Sequence, residues 1–174
     1  PDIAIGEHIV EASDLEGITP FTSDWYERAA QAEMGYYSVL DALAERFHAS
    51  RGLLQTLNPG LDLESVTVGT PIRVPAVLEP VIRRADSLRI DLTRKLIFAL
   101  DSQGRPLAIF HCSIAAKAEK RPRGHAKVIV VVTRPNYTFD PASWPEVKNV
   151  NRRLIIPPGP RNPVGLAWIG LDIP

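Results

Sequence analysis

The sequence predicts an α+β protein, a small helical module followed by a mainly-β segment. Three observations carry that expectation. Apolar residues recur at helical spacing between Leu40 and Leu57, and they alternate at period two between Leu88 and Ile114. Charge also changes sign between the halves. Residues 1–80 hold 13 acids and 4 bases, whereas residues 81–174 hold 7 acids and 16 bases. Such an asymmetry marks two functional units. The reversal falls at Val74-Pro75-Ala76-Val77-Leu78-Glu79-Pro80, where two prolines stiffen the chain, so residues 76–86 are expected to form a linker.

Residues 1–36 read as an extension with one helix, from about Ser23 to Met34, closed by Gly35. The next helix runs from Ser38 to His48. Ser38 precedes Asp41 by three, a capping pattern, and Leu40, Leu43, Ala44 and Phe47 share one face. Ser50 caps a shorter helix that buries Leu53, Leu54 and Leu57. Asn58-Pro59-Gly60 stops it, because proline lacks a donor and glycine turns the chain. Val66, Val68, Gly69, Pro71, Ile72 and Val74 then indicate a turn and an edge strand.

The basic half reads as strands. Leu88, Ile90 and Leu92 alternate with Arg89 and Asp91. Asp101-Ser102-Gln103-Gly104 is a turn, so Lys95–Leu100 and Arg105–Ile114 are expected to form a hairpin. Ala126–Thr133 is apolar on both faces, the composition of a central strand. Beyond it the chain is proline-rich, with a short strand at Arg153–Ile156.

Hydrophobic residues at 45% and charged residues at 23% exclude disorder throughout. No unbroken apolar run is longer than the five residues of Val128–Val132, far short of the ~18 a membrane span needs. One cysteine, Cys112, excludes an internal disulfide and a multi-cysteine zinc site. The four histidines show no metal spacing, and no metal or cofactor is expected. Cys112 shares an alternating apolar face with Ala108, Phe110 and Ile114, so a small buried hydrophobe is the favoured reading over a nucleophile. His111 points to the other face of the same strand.

Trp168 sits in an apolar stretch and is expected in the core. Trp25 and Trp144 fit either packing or stacking on sugars. The basic cluster Lys117, Lys120, Arg121, Arg123 and Lys127 has three readings. A solvated edge that resists aggregation is favoured. Attraction to anionic polymers follows. Nucleic-acid binding comes last, because no aromatics are interleaved.

Leu43-Ala44-Glu45-Arg46-Phe47, Leu53-Leu54-Gln55-Thr56-Leu57-Asn58-Pro59-Gly60 and Val68-Gly69-Thr70-Pro71-Ile72-Arg73-Val74-Pro75 stand in the order of a known module. On these residues, 37–75 resembles a LysM module, a βααβ domain that binds glycans containing N-acetylglucosamine. The family's opening strand and Gly-Asp turn come just before the first helix. Here Glu33-Met34-Gly35-Tyr36-Tyr37 holds that place without Gly-Asp, and His8-Ile9-Val10-Glu11 is the segment able to supply the strand, with residues 12–36 inserted. The resemblance implies glycan contact at Asn58, Pro59, Gly60, Leu61 and Asp62.

Residues 87–174 resemble the opening part of an L,D-transpeptidase catalytic domain of the YkuD type. The residues that carry this are Ser87–Phe98, Pro122-Arg123-Gly124-His125-Ala126-Lys127-Val128, Asn136–Pro141 and above all Ile156–Ile169. Arg121 stands where that family has threonine. The resemblance implies acyl transfer between peptidoglycan stem peptides through a cysteine thiolate, with a histidine to move protons. The family's His-Gly-Thr and Ser-His-Gly-Cys-x-Arg motifs come after the position of Pro174, and neither occurs in this sequence.

No catalytic residue is therefore expected here, and this chain alone is expected to be inactive, as an incomplete piece with unpaired strand edges. The alternative is a non-catalytic peptidoglycan-binding protein with a degenerate transpeptidase half. Either way the implied partners are stem peptides and glycan strands, not nucleic acid. The implied location is the cell envelope or periplasm, reached with a signal segment since removed.

Overall fold

A computed structural model describes residues 4–76 and 84–173. The protein is mixed α and β, with its strands spread over several small sheets. The expected linker lies largely outside the described residues, at 77–83. The chain forms two compact units, one from residues 4–76 and 128–170, the other from 84–127 and 171–173.

The first unit opens with β1 (Ile5–Ile9), which pairs antiparallel with β2 (Pro71–Pro75) from Ile5 opposite Pro75 to Ile9 opposite Pro71. Between them come α1 (Trp25–Ala30), α2 (Val39–Arg46) and α3 (Arg51–Leu57). Ser38 and Ser50 cap α2 and α3 as their spacing predicts, accepting from the amides of Asp41 at 3.2 Å and Leu53 at 3.1 Å. Leu40, Leu43 and Leu54 from the helices meet Val10, Leu63, Val66, Ile72 and Val74 in one core. Alternation along β2 sends Ile72 and Val74 inward. The opening strand thus begins three residues before the His8–Glu11 segment expected to supply it, and shares His8 and Ile9 with it.

The helix expected over Ser23–Met34 is only the six residues of α1. Asp24 caps it, accepting from the amides of Tyr26 and Glu27. Residues beyond Ala30 leave the helix because their backbone is used elsewhere. The Met34 amide donates to the Pro158 carbonyl at 2.9 Å, and the Arg161 amide donates to the Met34 carbonyl at 3.0 Å. Tertiary pairing overrides local propensity here.

Those bonds belong to a second core in the same unit. It joins Met34 to Phe139, Val150, Leu154 and Ile156. Phe139 lies on β7 (Tyr137–Phe139), which pairs antiparallel with β8 (Leu154–Ile156). Trp25 stacks on the Phe139 ring with centroids 4.0 Å apart.

Arg161 ties the proline-rich loop to α2. Its guanidinium reaches both carboxylate oxygens of Asp41 at 2.8 Å and Glu45 at 3.3 Å. The Arg161 hydrogen bonds hold the Asp41 carboxyl below its usual range, against burial, which works to raise it. A depressed carboxyl contributes stability above its unfolded pKa, and that contribution is lost as pH falls through the folded value. The urea midpoint is therefore expected to fall between about pH 5 and pH 2, and to fall less steeply in Asp41→Asn. An identical acid limb in both proteins would remove Asp41 from the account.

β6 (Val128–Thr133) pairs with β9 (Ala167–Leu171) in a two-stranded ribbon. Here the structure corrects the expectation of a central strand. Every residue of β6 is exposed, Ile129 by 66%, and Trp168, expected in the core, is 52% exposed. A two-stranded ribbon shields neither face, so an apolar composition does not by itself place a strand inside a sheet.

The second unit is a meander of β3 (Ser87–Asp91), β4 (Leu96–Leu100) and β5 (Pro106–His111), in that spatial order. The predicted hairpin forms across Asp101–Gly104, where Asp101 accepts from the amides of Gln103 and Arg105, both at 2.9 Å. Phe98, Ala99 and Leu100 are buried, and Arg89 lies over the Phe98 ring at 4.6 Å. The face carrying Cys112 is less buried than expected. Cys112 is half-buried and Phe110 is 55% exposed.

Candidate functional site

The turn expected to meet glycan, Asn58 to Asp62, is built from two anchors and an exposed tip. Asn58 ends α3 and is buried. Its side-chain amide donates to the Leu54 and Arg73 carbonyls, both at 2.8 Å, and its oxygen accepts from the Arg73 amide at 2.7 Å. It thereby stitches the helix end to β2. Leu61, half-buried, packs against the first core. Pro59, Gly60 and Asp62 face solvent. Gly60 takes a φ of +82°, which favours glycine at the tip. Asp62 accepts from the Ser65 hydroxyl at 2.7 Å and the Glu64 amide at 3.1 Å, and these bonds hold its carboxyl below its usual range.

This geometry separates scaffold from surface. Asn58→Ala removes a buried side chain and its three bonds to the Leu54 carbonyl and the Arg73 amide and carbonyl, so it is expected to lower stability by about 2 kcal/mol. Asp62→Ala is expected to change stability little, being fully exposed. Urea titrations of the two variants check the contrast, and equal losses would contradict it.

Sequence reasoning missed a groove of about 450 Å³ in the same unit, lined by Val132, Pro135, Tyr137, Thr138, Val164 and Trp168. It is assembled from β6, β7, β9, the β6–β7 connection and the loop before β9. Nothing local announces it, since its residues come from segments up to 36 positions apart. The available signal was the proximity of Asn136, Tyr137 and Thr138, polar and aromatic together, to an apolar strand. The groove's lining is mainly aromatic and aliphatic, with Asn136, Tyr137 and Thr138 as the polar members.

Also missed was a cluster at the base of β1. His8 Nε2 lies 2.7 Å from Asp14, and Arg46 of α2 pairs with the same carboxylate. Phe47 packs against the His8 ring at 5.0 Å. Burial works to raise the Asp14 pKa, but the Glu11 amide, His8 and Arg46 together hold it down. The arrangement joins the strand, the inserted segment and α2.

Cys112 follows β5, and its amide donates to the Lys95 carbonyl at 2.9 Å. Among the described residues no hydrogen bond joins it to a histidine, and no group of three His, Cys, Asp or Glu is placed to hold a metal ion. No helix among them is long and apolar enough to cross a membrane. No family model matches the chain, and no curated protein sequence matches it.

Proposed function

We propose that the chain is part of a peptidoglycan-modifying L,D-transpeptidase of the bacterial cell envelope. In this reading residues 37–75 are a LysM-like module for glycan strands, preceded by the 1–36 extension and followed by the 76–86 linker. Residues 87–174 are the opening part of the catalytic domain, and the cysteine nucleophile lies beyond them. The observation that carries the reading is the strand–helix–helix–strand unit of β1, α2, α3 and β2, closed by an antiparallel pair. Its turn at Pro59, Gly60 and Asp62 is exposed for contact with sugar. The sequence of Ile156–Ile169 supports the catalytic half.

The chemistry is acyl transfer. A thiolate attacks a stem-peptide carbonyl, a D-amino acid leaves with the proton that histidine returns to it, and an amine then takes the acyl group from sulfur. The test is to read the coding frame past residue 174, express the chain with that continuation, and treat it with a carbapenem. The expected result is one covalent adduct on a cysteine in the continuation and none on Cys112. An adduct on the 174-residue chain that Cys112→Ala abolishes would overturn the assignment. A continuation without a cysteine would leave the non-catalytic peptidoglycan-binding reading, which co-sedimentation with purified sacculi would then examine.

A further inference from the structure

The second unit holds a cavity of about 400 Å³ beside the turn that joins β3 to β4. Thr93, Lys95, Arg121 and Arg123 line it, against Leu92 and Ile114. Among the described residues, Lys95, Arg121 and Arg123 have no carboxylate within 4.0 Å, although Arg94 in the same turn pairs with Asp91. Three cations therefore face one cavity without a balancing acid.

Part of this arrangement is fixed in advance of any ligand. The Arg121 guanidinium is locked, with Nε donating to the Ala115 carbonyl at 2.6 Å and Nη2 to the Ala116 carbonyl at 2.7 Å. That leaves three of its five N–H groups for another acceptor. Lys95 sits at a φ of +56° in the turn that carries β3 into β4, where Asp91 accepts from the Thr93 and Arg94 amides.

We propose that this cavity is a binding site for a phosphate group, held by Lys95, Arg121 and Arg123 with the Thr93 hydroxyl as a further donor. Three unbalanced cations match a dianion better than a single carboxylate charge, and planar guanidinium forks suit phosphate oxygens. The volume exceeds a bare phosphate, so the cavity has room for the group that carries it. Lys117, Lys120 and Lys127 on the same segment draw anions toward it. The proposal is independent of the cell-wall reading.

The test is an amide NMR titration of the full chain with inorganic phosphate at constant ionic strength. Saturable shifts confined to Thr93, Lys95, Ala115, Ala116 and Arg121 are expected. Arg123→Gln and Lys95→Gln are each expected to weaken binding about tenfold, the scale of one charge-assisted hydrogen bond. Both side chains are exposed and hold no backbone group, so these variants test the site without relying on Arg121→Gln, which would free the Ala115–Ala116 loop. Lys148→Gln, in the other unit, is expected to leave affinity unchanged. Glycerol 3-phosphate and a glycerol phosphodiester then separate sources, since tighter binding of the monoester marks a terminal phosphate and tighter binding of the diester marks a polymer backbone. Non-saturating shifts across all basic residues, or equal loss in Lys148→Gln, would overturn the proposal. So would acetate binding as tightly as phosphate.

Discussion

Phe139→Ala is expected to lower the stability of the first unit by about 3–5 kcal/mol, the range for truncating a fully buried aromatic. Phe139 is completely buried and lies at the centre of the second core, with Trp25 stacked on its ring. Truncation removes that stacking partner and opens a cavity between β7, β8 and α1. Few side chains are placed to fill it, because Leu154 and Ile156 are fixed by strand register opposite Phe139 and Tyr137. A domain holds only some 5–15 kcal/mol in total, so this one change removes a large share. Urea unfolding followed by tryptophan fluorescence reads the effect. Trp144 and Trp168 are already exposed, so the native-state red shift reports on Trp25. Phe139→Leu is expected to cost much less, under about 1.5 kcal/mol, as a nearer match in volume. A midpoint equal to that of the parent protein in Phe139→Ala would sink the account.

Gly159→Ala is expected to cost about 3 kcal/mol, for a different reason. A Cβ there would lie 2.3 Å from the Met34 carbonyl oxygen and 2.7 Å from its carbon, and Gly159 has a φ of +145°. The obstacle is backbone, pinned by the two hydrogen bonds that Met34 makes with Pro158 and Arg161. Relief requires breaking those bonds as well as adopting a strained conformation. Gly60→Ala is the control. Its φ is also positive, but nothing lies within 4 Å of the added carbon, so about 1 kcal/mol is expected. Limited proteolysis within residues 16–36 gives a second readout, since the Met34 contacts hold that segment's end. Equal losses in the two glycine variants would show that the crowding at Met34 has no energetic weight.

The local signals in the sequence translated well where their partners were local. Ser38 and Ser50 lie three residues from the amides they accept, and Ile72 and Val74 alternate within one strand, so spacing alone places them. The mixed architecture was legible for the same reason. What escaped was set at a distance. Arg161 meets Asp41 across 120 positions, and Met34 meets Pro158 across a similar span, and no window of sequence displays either pairing. The short α1 follows from the second of these. β6 departs from its expected place because apolar composition reports that a strand is fit for burial, not that anything buries it. At the turn from Asn58 to Asp62 the residue types were visible in sequence. The division of labour between the buried Asn58 and the exposed Pro59, Gly60 and Asp62 was not, because it depends on where Arg73 returns beside α3.

The first unit is interrupted in the chain, and that has a consequence for its birth on the ribosome. The core of α2, α3, β1 and β2 is fully synthesised by residue 76. Trp25 and Met34, already made, must wait for Phe139, Leu154 and Ile156 before their own core can close. At roughly 5–20 residues per second, the delay from residue 76 to residue 156 is on the order of ten seconds. Throughout that interval the nascent chain carries a finished core beside uncovered aromatic side chains, which makes residues 18–36 the natural place for a chaperone to hold it.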